Sequence, residues 1–159
     1  MFSLEEIDPS NVLMRIVGKV PVIAFDQVIL SQQGDGFVEV TVLDGSPFFM
    51  ASSLSFTLPR ILVSTPQFLK VISLTRDFEE KIACSQGGYT HGCFLYGGRI
   101  AVVNDKHLSL FDRTRKSIRL ACQEEIRSIG VVEVFPIGID HIGVLYQNGI
   151  LDRFRIERS

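Results

Sequence analysis

Apolar and polar residues alternate in short runs between residues 99 and 122, and turn-forming residues separate the runs. A largely apolar run at residues 99–103 ends at Asn104 and Asp105, and a second run follows at residues 108–111. After a charged turn, Ile118, Leu120 and Cys122 alternate with polar residues along a third run. Short runs bounded by Asn and Asp are typical of strands joined by hairpin turns. The stretch therefore predicts three consecutive antiparallel strands.

The same unit recurs along the chain. Residues 60–64 match residues 99–103 at a spacing of 39 positions, and residues 82–84 match residues 120–122 at a spacing of 38. Weaker copies begin at Gln27 and His141, and residues 50–52 match the third strand of the unit. A fourth strand is predicted before each copy, at residues 20–25, 54–58, 93–96 and 131–137. Four strands in a unit of roughly 40 residues are typical of the blades of a β-propeller.

Two dipeptides connect the repeat with a known family. Phe111-Asp112 and Leu43-Asp44 lie where WD-repeat propellers have their Trp-Asp pair, so the sequence resembles that family. The chain contains no Trp, and it has no Gly-His pair at the expected place. It is therefore similar to a divergent WD-repeat-like propeller or to a related propeller class, and the resemblance implies an all-β fold built from blades.

We predict that residues 1–159 form one small propeller-like domain of four blades. The blades are expected at residues 20–52, 54–85, 93–123 and 131–159. The last unit has only three predicted strands, so the strand predicted at residues 11–18 is expected to complete it and close the ring. Closure would remove unpaired strand edges. The sequence leaves open whether four blades stand alone or form half of a larger ring, made by two copies or by another protein.

Composition restricts the class of protein. A chain of 159 residues with 46% hydrophobic residues is long enough to bury a core. Its net charge of −2 argues against a strongly basic nucleic-acid binder. No apolar run approaches the roughly 20 residues of a membrane span, and the acidic first residues do not resemble a secretory signal. The odd count of three cysteines favours a reduced intracellular compartment, cytoplasmic or nuclear.

No motif indicates a reaction or a cofactor. The sequence lacks a Gly-x-Ser-x-Gly elbow and the glycine patterns that bind phosphate. Cys84, His91 and Cys93 are too few, and are wrongly spaced, for a structural zinc site. We therefore expect no catalytic residue, no metal and no cofactor, and we interpret the protein as not an enzyme. A hydrolase with its site in the central channel is the least favoured alternative, because the predicted inner positions are mostly apolar.

Basic residues at matching positions of the repeat are the first candidate binding residues. Arg60, Arg99 and His141 begin equivalent predicted strands, as does Gln27. Their turns are expected on one face of the disc, where a basic surface would attract an acidic protein segment or a phosphate backbone. The alternative is that the arginines bond to local carbonyls or carboxylates, such as that of Asp140. The predicted set is Arg60, Arg99, Arg113, Arg115, Lys116 and His141.

The loop at residues 86–92 supplies the second candidate surface, on the opposite face. It contains three glycines together with Tyr89 and His91, and connecting loops often carry binding residues. In the first predicted blade, Phe48 and Phe49 are adjacent aromatics that cannot both face the same side of a strand. One of these two rings is therefore expected to be exposed.

These patterns favour a non-enzymatic protein-interaction module that docks on a larger intracellular assembly. The expected partner is a protein within that assembly, and no membrane partner is expected. The alternative is a factor associated with nucleic acid or with a ribonucleoprotein such as the ribosome, which would bind RNA through the basic face. A steep loss of affinity with salt would indicate this alternative.

Overall fold

A computed structural model describes residues 12–53, 59–74, 81–114 and 116–157. Within these ranges, fifteen strands form four antiparallel sheets, and the strands of each sheet are paired in sequence order. The all-β prediction is therefore confirmed. Across the same residues, no helix is long and apolar enough to cross a membrane.

The four sheets follow one another along the chain. The first contains β1 (Val12–Val17), β2 (Val20–Phe25), β3 (Val28–Gln33) and β4 (Gly36–Val42). The second contains β5 (Phe49–Ser52), β6 (Arg60–Ser64), β7 (Leu69–Ser73) and β8 (Lys81–Cys84). The third contains β9 (His91–Phe94), β10 (Ile100–Val103), β11 (His107–Arg113) and β12 (Ile118–Glu125). The fourth contains β13 (Val131–Ile137), β14 (His141–Tyr146) and β15 (Leu151–Arg155).

The strands of the third and fourth sheets follow the sequence pattern closely. The apolar run at residues 99–103 forms β10, and the two runs that follow it form β11 and β12. Between β10 and β11, the side chain of Asn104 accepts hydrogen bonds from the backbone N–H groups of Lys106 and His107, at 2.9 and 2.8 Å. An Asn side chain that bonds to the backbone two residues ahead stabilises a tight turn. The prediction of three consecutive antiparallel strands is confirmed.

The prediction that the N-terminal strand closes the ring is wrong for the residues that the structure describes. β1 pairs along its whole length with β2, with Val12 opposite Phe25 and Val17 opposite Val20. Gly18 opens the intervening two-residue turn with a φ of 65°, which a glycine adopts readily. A two-residue turn costs far less chain entropy than pairing with a strand at the other end of the chain. β1 is therefore the first strand of the first sheet.

The boundary predicted between the first two units is also wrong. The repeat predicts residues 50–52 at the end of the first unit, but they belong to β5, which pairs with β6. The strand predicted at residues 54–58 lies outside the described residues. The second sheet therefore begins at Phe49. The assignment of the whole chain to a single domain stays a prediction.

Each sheet packs face to face on the next one. A buried cluster between the first and second sheets includes Val22, Ile29 and Ile61. A second cluster, between the second and third sheets, includes Phe49 and Phe111. A third cluster, between the third and fourth sheets, includes Leu110 and Val144. No buried cluster joins the fourth sheet to the first within the described ranges, so the four sheets form an open series.

The two dipeptides that suggested the family resemblance occupy different places. Asp112 lies within β11, whereas Asp44 follows β4 and contacts the second sheet. The carboxylate of Asp44 lies 3.1 Å from Lys70 Nζ and accepts a hydrogen bond from Thr65 Oγ1. Burial acts to raise the pKa of Asp44, but the bonds from Lys70 and Thr65 outweigh it and lower that pKa below its usual value. Asp44 therefore ties two sheets together, and it is not the counterpart of Asp112.

Candidate binding face

The described ends of the second and third sheets come together beside residues 95–99. There the end of β5, the start of β6 and the turn at residues 95–99 surround a cavity of about 330 Å³, which we call the arginine pocket. It is lined by Ser53, Arg60, Phe94, Leu95, Tyr96, Gly97, Gly98 and Arg113. The structure therefore brings together two of the predicted binding residues, Arg60 from the second sheet and Arg113 from the third.

Glycines shape the wall of the arginine pocket. Gly97 and Gly98 have φ values of 82° and 80°, which side chains other than glycine rarely adopt. The Arg113 side chain packs directly over this turn, because a Cβ atom at Gly98 would lie 2.7 Å from Arg113 Nη2. Arg113 Nε also donates a hydrogen bond of 3.0 Å to the Gly98 carbonyl. The missing side chain at Gly98 thus lets a guanidinium group lie against the backbone.

On the opposite wall, the backbone holds Arg60 in place. The N–H of Arg60 donates to Ser53 Oγ at 3.0 Å, and the N–H of Ser53 donates to the Arg60 carbonyl at 2.9 Å. These bonds extend the β5–β6 pairing by one residue at the edge of the pocket. Tyr96 stands beside this site with an exposed ring. Two cations and one aromatic ring therefore line a single concave surface.

Two other predicted residues have acidic neighbours. Arg99 Nε donates to Asp112 Oδ1 at 2.9 Å, across the β10–β11 hairpin. His141 Nδ1 lies 2.7 Å from Asp140 Oδ1, and this hydrogen bond lowers the pKa of the Asp140 carboxyl. These contacts match the alternative in which basic residues at the turns bond locally. Arg99 lines a separate cavity between the third and fourth sheets, so it does not share the arginine pocket.

The other two residues of the predicted set lie in the β11–β12 turn. Lys116 is exposed, and its backbone N–H donates to Thr114 Oγ1 at 3.2 Å. Arg115 lies outside the described residues. The structure therefore places Lys116 on the surface beyond Arg113 and leaves its binding role a prediction.

Sequence reasoning missed one basic residue at a matching turn. Lys19 precedes β2 just as Arg99 precedes β10, so it takes the place that the repeat assigned to Gln27. Gln27 lies instead in the turn between β2 and β3. The signal was present in the sequence, because Gly18-Lys19 stands between two apolar runs of strand length. Each sheet therefore starts its second strand at or next to a Lys, Arg or His.

The prediction that Tyr89 contacts a partner is wrong. Its side chain is only 4% exposed, and its ring meets that of Phe111 edge to face at a centroid distance of 6.0 Å. Burial raises the pKa of its hydroxyl. The backbone of the loop is bonded to the second sheet, through Tyr89 N–H to Ser64 Oγ at 3.1 Å and Gly88 N–H to the Thr65 carbonyl at 2.9 Å. This loop therefore joins two sheets.

His91 lies at the other end of the third sheet from the arginine pocket. It begins β9, is half-buried, and has Nδ1 3.0 Å from Thr90 Oγ1. Burial lowers its pKa, against a smaller raising effect from Glu133. It lines a cavity of about 450 Å³ together with Asn104 and Lys106. No group of three or more His, Cys, Asp or Glu side chains could hold a metal ion in the part of the chain that the structure describes.

Comparisons with known proteins show the fold but not a family. No protein-family model matches the chain, and a search of curated proteins found no match. A structure of hydrazine synthase from Kuenenia stuttgartiensis matches 91% of this chain with a TM-score of 0.62 and 12% identity. A structure of streptogramin B lyase matches 94% of it with a TM-score of 0.53, also at 12% identity. Both are β-propeller-type folds, so the four sheets form a propeller-like fold.

The chain spans about half the length of these two structures, 45% and 56% respectively. Both names are those of enzymes, and this contradicts the expectation that the protein is not an enzyme. That expectation rested only on missing motifs, and propeller-like folds support catalysis as well as binding. At 12% identity the likeness shows the fold alone, and it assigns no reaction to this chain.

Proposed function

We propose that the protein is an interaction module that docks on a larger assembly by binding an acidic segment of a protein partner in the arginine pocket. The observation that carries this proposal is the convergence of Arg60 and Arg113, from two different sheets, on one concave site. A guanidinium group can donate two parallel hydrogen bonds to a carboxylate, and such bonds are stronger than neutral ones. Arginine and tyrosine are also the residue types enriched at protein interfaces, which fits Tyr96.

An acidic protein segment fits the chain better than a nucleic acid does. A phosphate backbone is usually bound by a row of cations on a basic surface, whereas this chain carries a net charge of −2. Arg99 and His141 do not line the arginine pocket, so the predicted basic residues do not form one continuous row there. A short ligand with a few carboxylates needs only the two arginines of one pocket.

We also propose that the four sheets are four blades of a propeller.

A charge reversal in the pocket tests the proposal. The double variant Arg60→Glu, Arg113→Glu is expected to lower affinity for a labelled glutamate-rich peptide at least about tenfold, since each charged hydrogen bond contributes about 1.5–3 kcal/mol. Fluorescence anisotropy over a series of salt concentrations measures the effect. The control, Lys106→Glu with Arg119→Glu, makes the same change in net charge outside the arginine pocket, and it is expected to keep most of the affinity.

Two results would contradict the proposal. Equal losses in both double variants would mean that overall charge, and not the arginine pocket, attracts the peptide. Tight binding of a labelled single-stranded RNA with a steep salt dependence, combined with no binding of the peptide, would favour the nucleic-acid alternative.

A further inference from the structure

The first sheet has one face that nothing in the described structure covers. In β1, Leu13 and Val17 point into the cluster shared with the second sheet, so the alternate residues point outward. The strand register places apolar residues of β2, β3 and β4 on the same outward side. Most of its side chains are large and apolar, and six are exposed: Val12, Met14, Ile16, Phe25, Phe37 and Val42. We call this surface the first free face.

The fourth sheet has a matching surface at the other end of the series. Val144 points toward the third sheet, so Leu145 and its partner Leu151 point away from it. On the same side the ring of Phe135 lies across Gly143, where a Cβ atom would come within 2.7 Å of Phe135 Cζ. We call the surface of Phe135, Ile137, Leu145 and Leu151 the fourth free face.

We propose that a second copy of this chain covers both surfaces, so that the first free face of each copy packs on the fourth free face of the other. The two copies would be related by a twofold axis along the centre of the ring, and eight sheets would then close it. Each new junction continues the packing of sheet face on sheet face seen at the three internal junctions. The surfaces involved are different from the arginine pocket, so the proposal stands independently of the proposed function.

Three observations favour a second copy over another occupant. The chain matches 45% and 56% of two longer propeller-type structures, and these shares lie on either side of one half. The outward charges of the two surfaces are complementary. The first free face carries Glu39, whereas the fourth carries two arginines, Arg153 and Arg155, and one carboxylate, Glu133, so its net charge is positive. Each copy also offers one surface of each kind, so two copies leave neither uncovered.

The buried area is sufficient for a stable dimer only if the ring closes. From the usual spacing of strands and residues, the first free face covers roughly 400 Å² and the three-stranded fourth face roughly 300 Å². One junction would bury roughly 700 Å², which is typical of a crystal contact, whereas two would bury roughly 1,400 Å². The latter lies within the range of specific protein interfaces. A closed pair is therefore favoured over an open chain of copies.

Light scattering coupled to size-exclusion chromatography tests the proposal on the whole chain. At about 100 µM, well above a Kd of about 1 µM, we expect twice the chain mass of 17.8 kDa. Ile16→Glu on the first free face and Leu151→Glu on the fourth should each give the mass of one chain, because the junction would bury an unpaired carboxylate. The control is Leu120→Glu, which should stay dimeric, since its 42% exposed side chain lies outside both surfaces.

Mixing the two monomeric variants provides the specific signature. Ile16→Glu keeps an unmodified fourth free face, and Leu151→Glu keeps an unmodified first free face, so one junction of a mixed pair is intact. One junction of roughly 700 Å² supports only weak association, so at about 100 µM the mixture should show a minor dimer population that neither variant shows alone. Native mass spectrometry would detect it. A monomeric wild type at about 100 µM overturns the proposal. So does a dimer that survives Leu151→Glu, because the first free face would then pack on itself or on another segment.

Discussion

Replacing Phe49 with alanine is expected to lower the free energy of unfolding by about 3–5 kcal/mol. Phe49 is 7% exposed and belongs to the cluster between the second and third sheets. Its ring packs directly on Gly92 of β9, because a Cβ atom added at Gly92 would lie only 2.6 Å from Phe49 Cζ. Removing the ring therefore leaves a cavity at the junction of the two sheets, where the surrounding strands cannot easily collapse.

The neighbouring residue offers a matched control. Phe48→Ala makes the same chemical change one position earlier, where the side chain is 49% exposed, and should cost less than about 1 kcal/mol. Urea denaturation of both variants followed by circular dichroism measures the difference. Similar costs for the two would show that the second and third sheets do not pack as described. The exposure of one ring of this pair confirms the expectation from the sequence.

The substitution Gly87→Ala is expected to destabilise the protein by about 3 kcal/mol, at the upper end of the usual cost of overpacking. A Cβ atom there would lie 2.4 Å from the N atom of Phe68 and 2.5 Å from the carbonyl oxygen of Thr65. These are backbone atoms of the turn between β6 and β7, so no side chain can rotate to make room. The loop would have to leave that turn, and the hydrogen bond from Gly88 N–H to the Thr65 carbonyl would be lost.

Gly36→Ala is the control for this prediction. Gly36 begins β4, and a Cβ atom there would meet no heavy atom within 4 Å. Its effect should stay within about 0.5 kcal/mol, as for most surface substitutions. Thermal melting of both variants compares them. If the Gly87→Ala protein melts at the same temperature as the Gly36→Ala protein, the loop at residues 86–92 does not pack on the second sheet.

The pattern of apolar runs predicted most strands, but not which strand begins each sheet. Residues 99–122 became β10, β11 and β12 because alternation and Asn or Asp turns are local signals. The order within a sheet depends on which neighbouring runs pair, and a weak match of residues 50–52 to another strand gave the wrong answer. The two-residue turn at Gly18 was the better signal, since it joins β1 to β2 directly.

Part of the candidate site was likewise predictable. The repeat predicts Arg60 and the charged turn after residue 111 predicts Arg113, but nothing in the sequence indicates that they share a pocket without Arg99. That separation depends on Asp112, which lies opposite Arg99 across a hairpin. The prediction for Tyr89 is wrong because glycines on both sides are typical of an exposed loop, whereas its burial depends on contact with Phe111 of β11. Burial between sheets is a property of packing, which local sequence does not encode.

The two cysteines of the third sheet, Cys93 and Cys122, differ in how easily their thiols can be alkylated, and this difference relates to the separation of the third and fourth sheets. Burial raises the pKa of Cys93 to about 12, with Glu133 adding to the effect, whereas Cys122 is exposed on the outer strand. Only a thiolate reacts readily with alkylating reagents. Cys93 should therefore react slowly for two reasons: reagents have little access to it, and its thiol stays protonated. Modification of Cys93 is expected mainly when the third and fourth sheets separate, because its side chain belongs to the cluster between them. The alkylation rate of Cys93 is therefore expected to report how often these two sheets separate, with exposed Cys122 as the reference thiol.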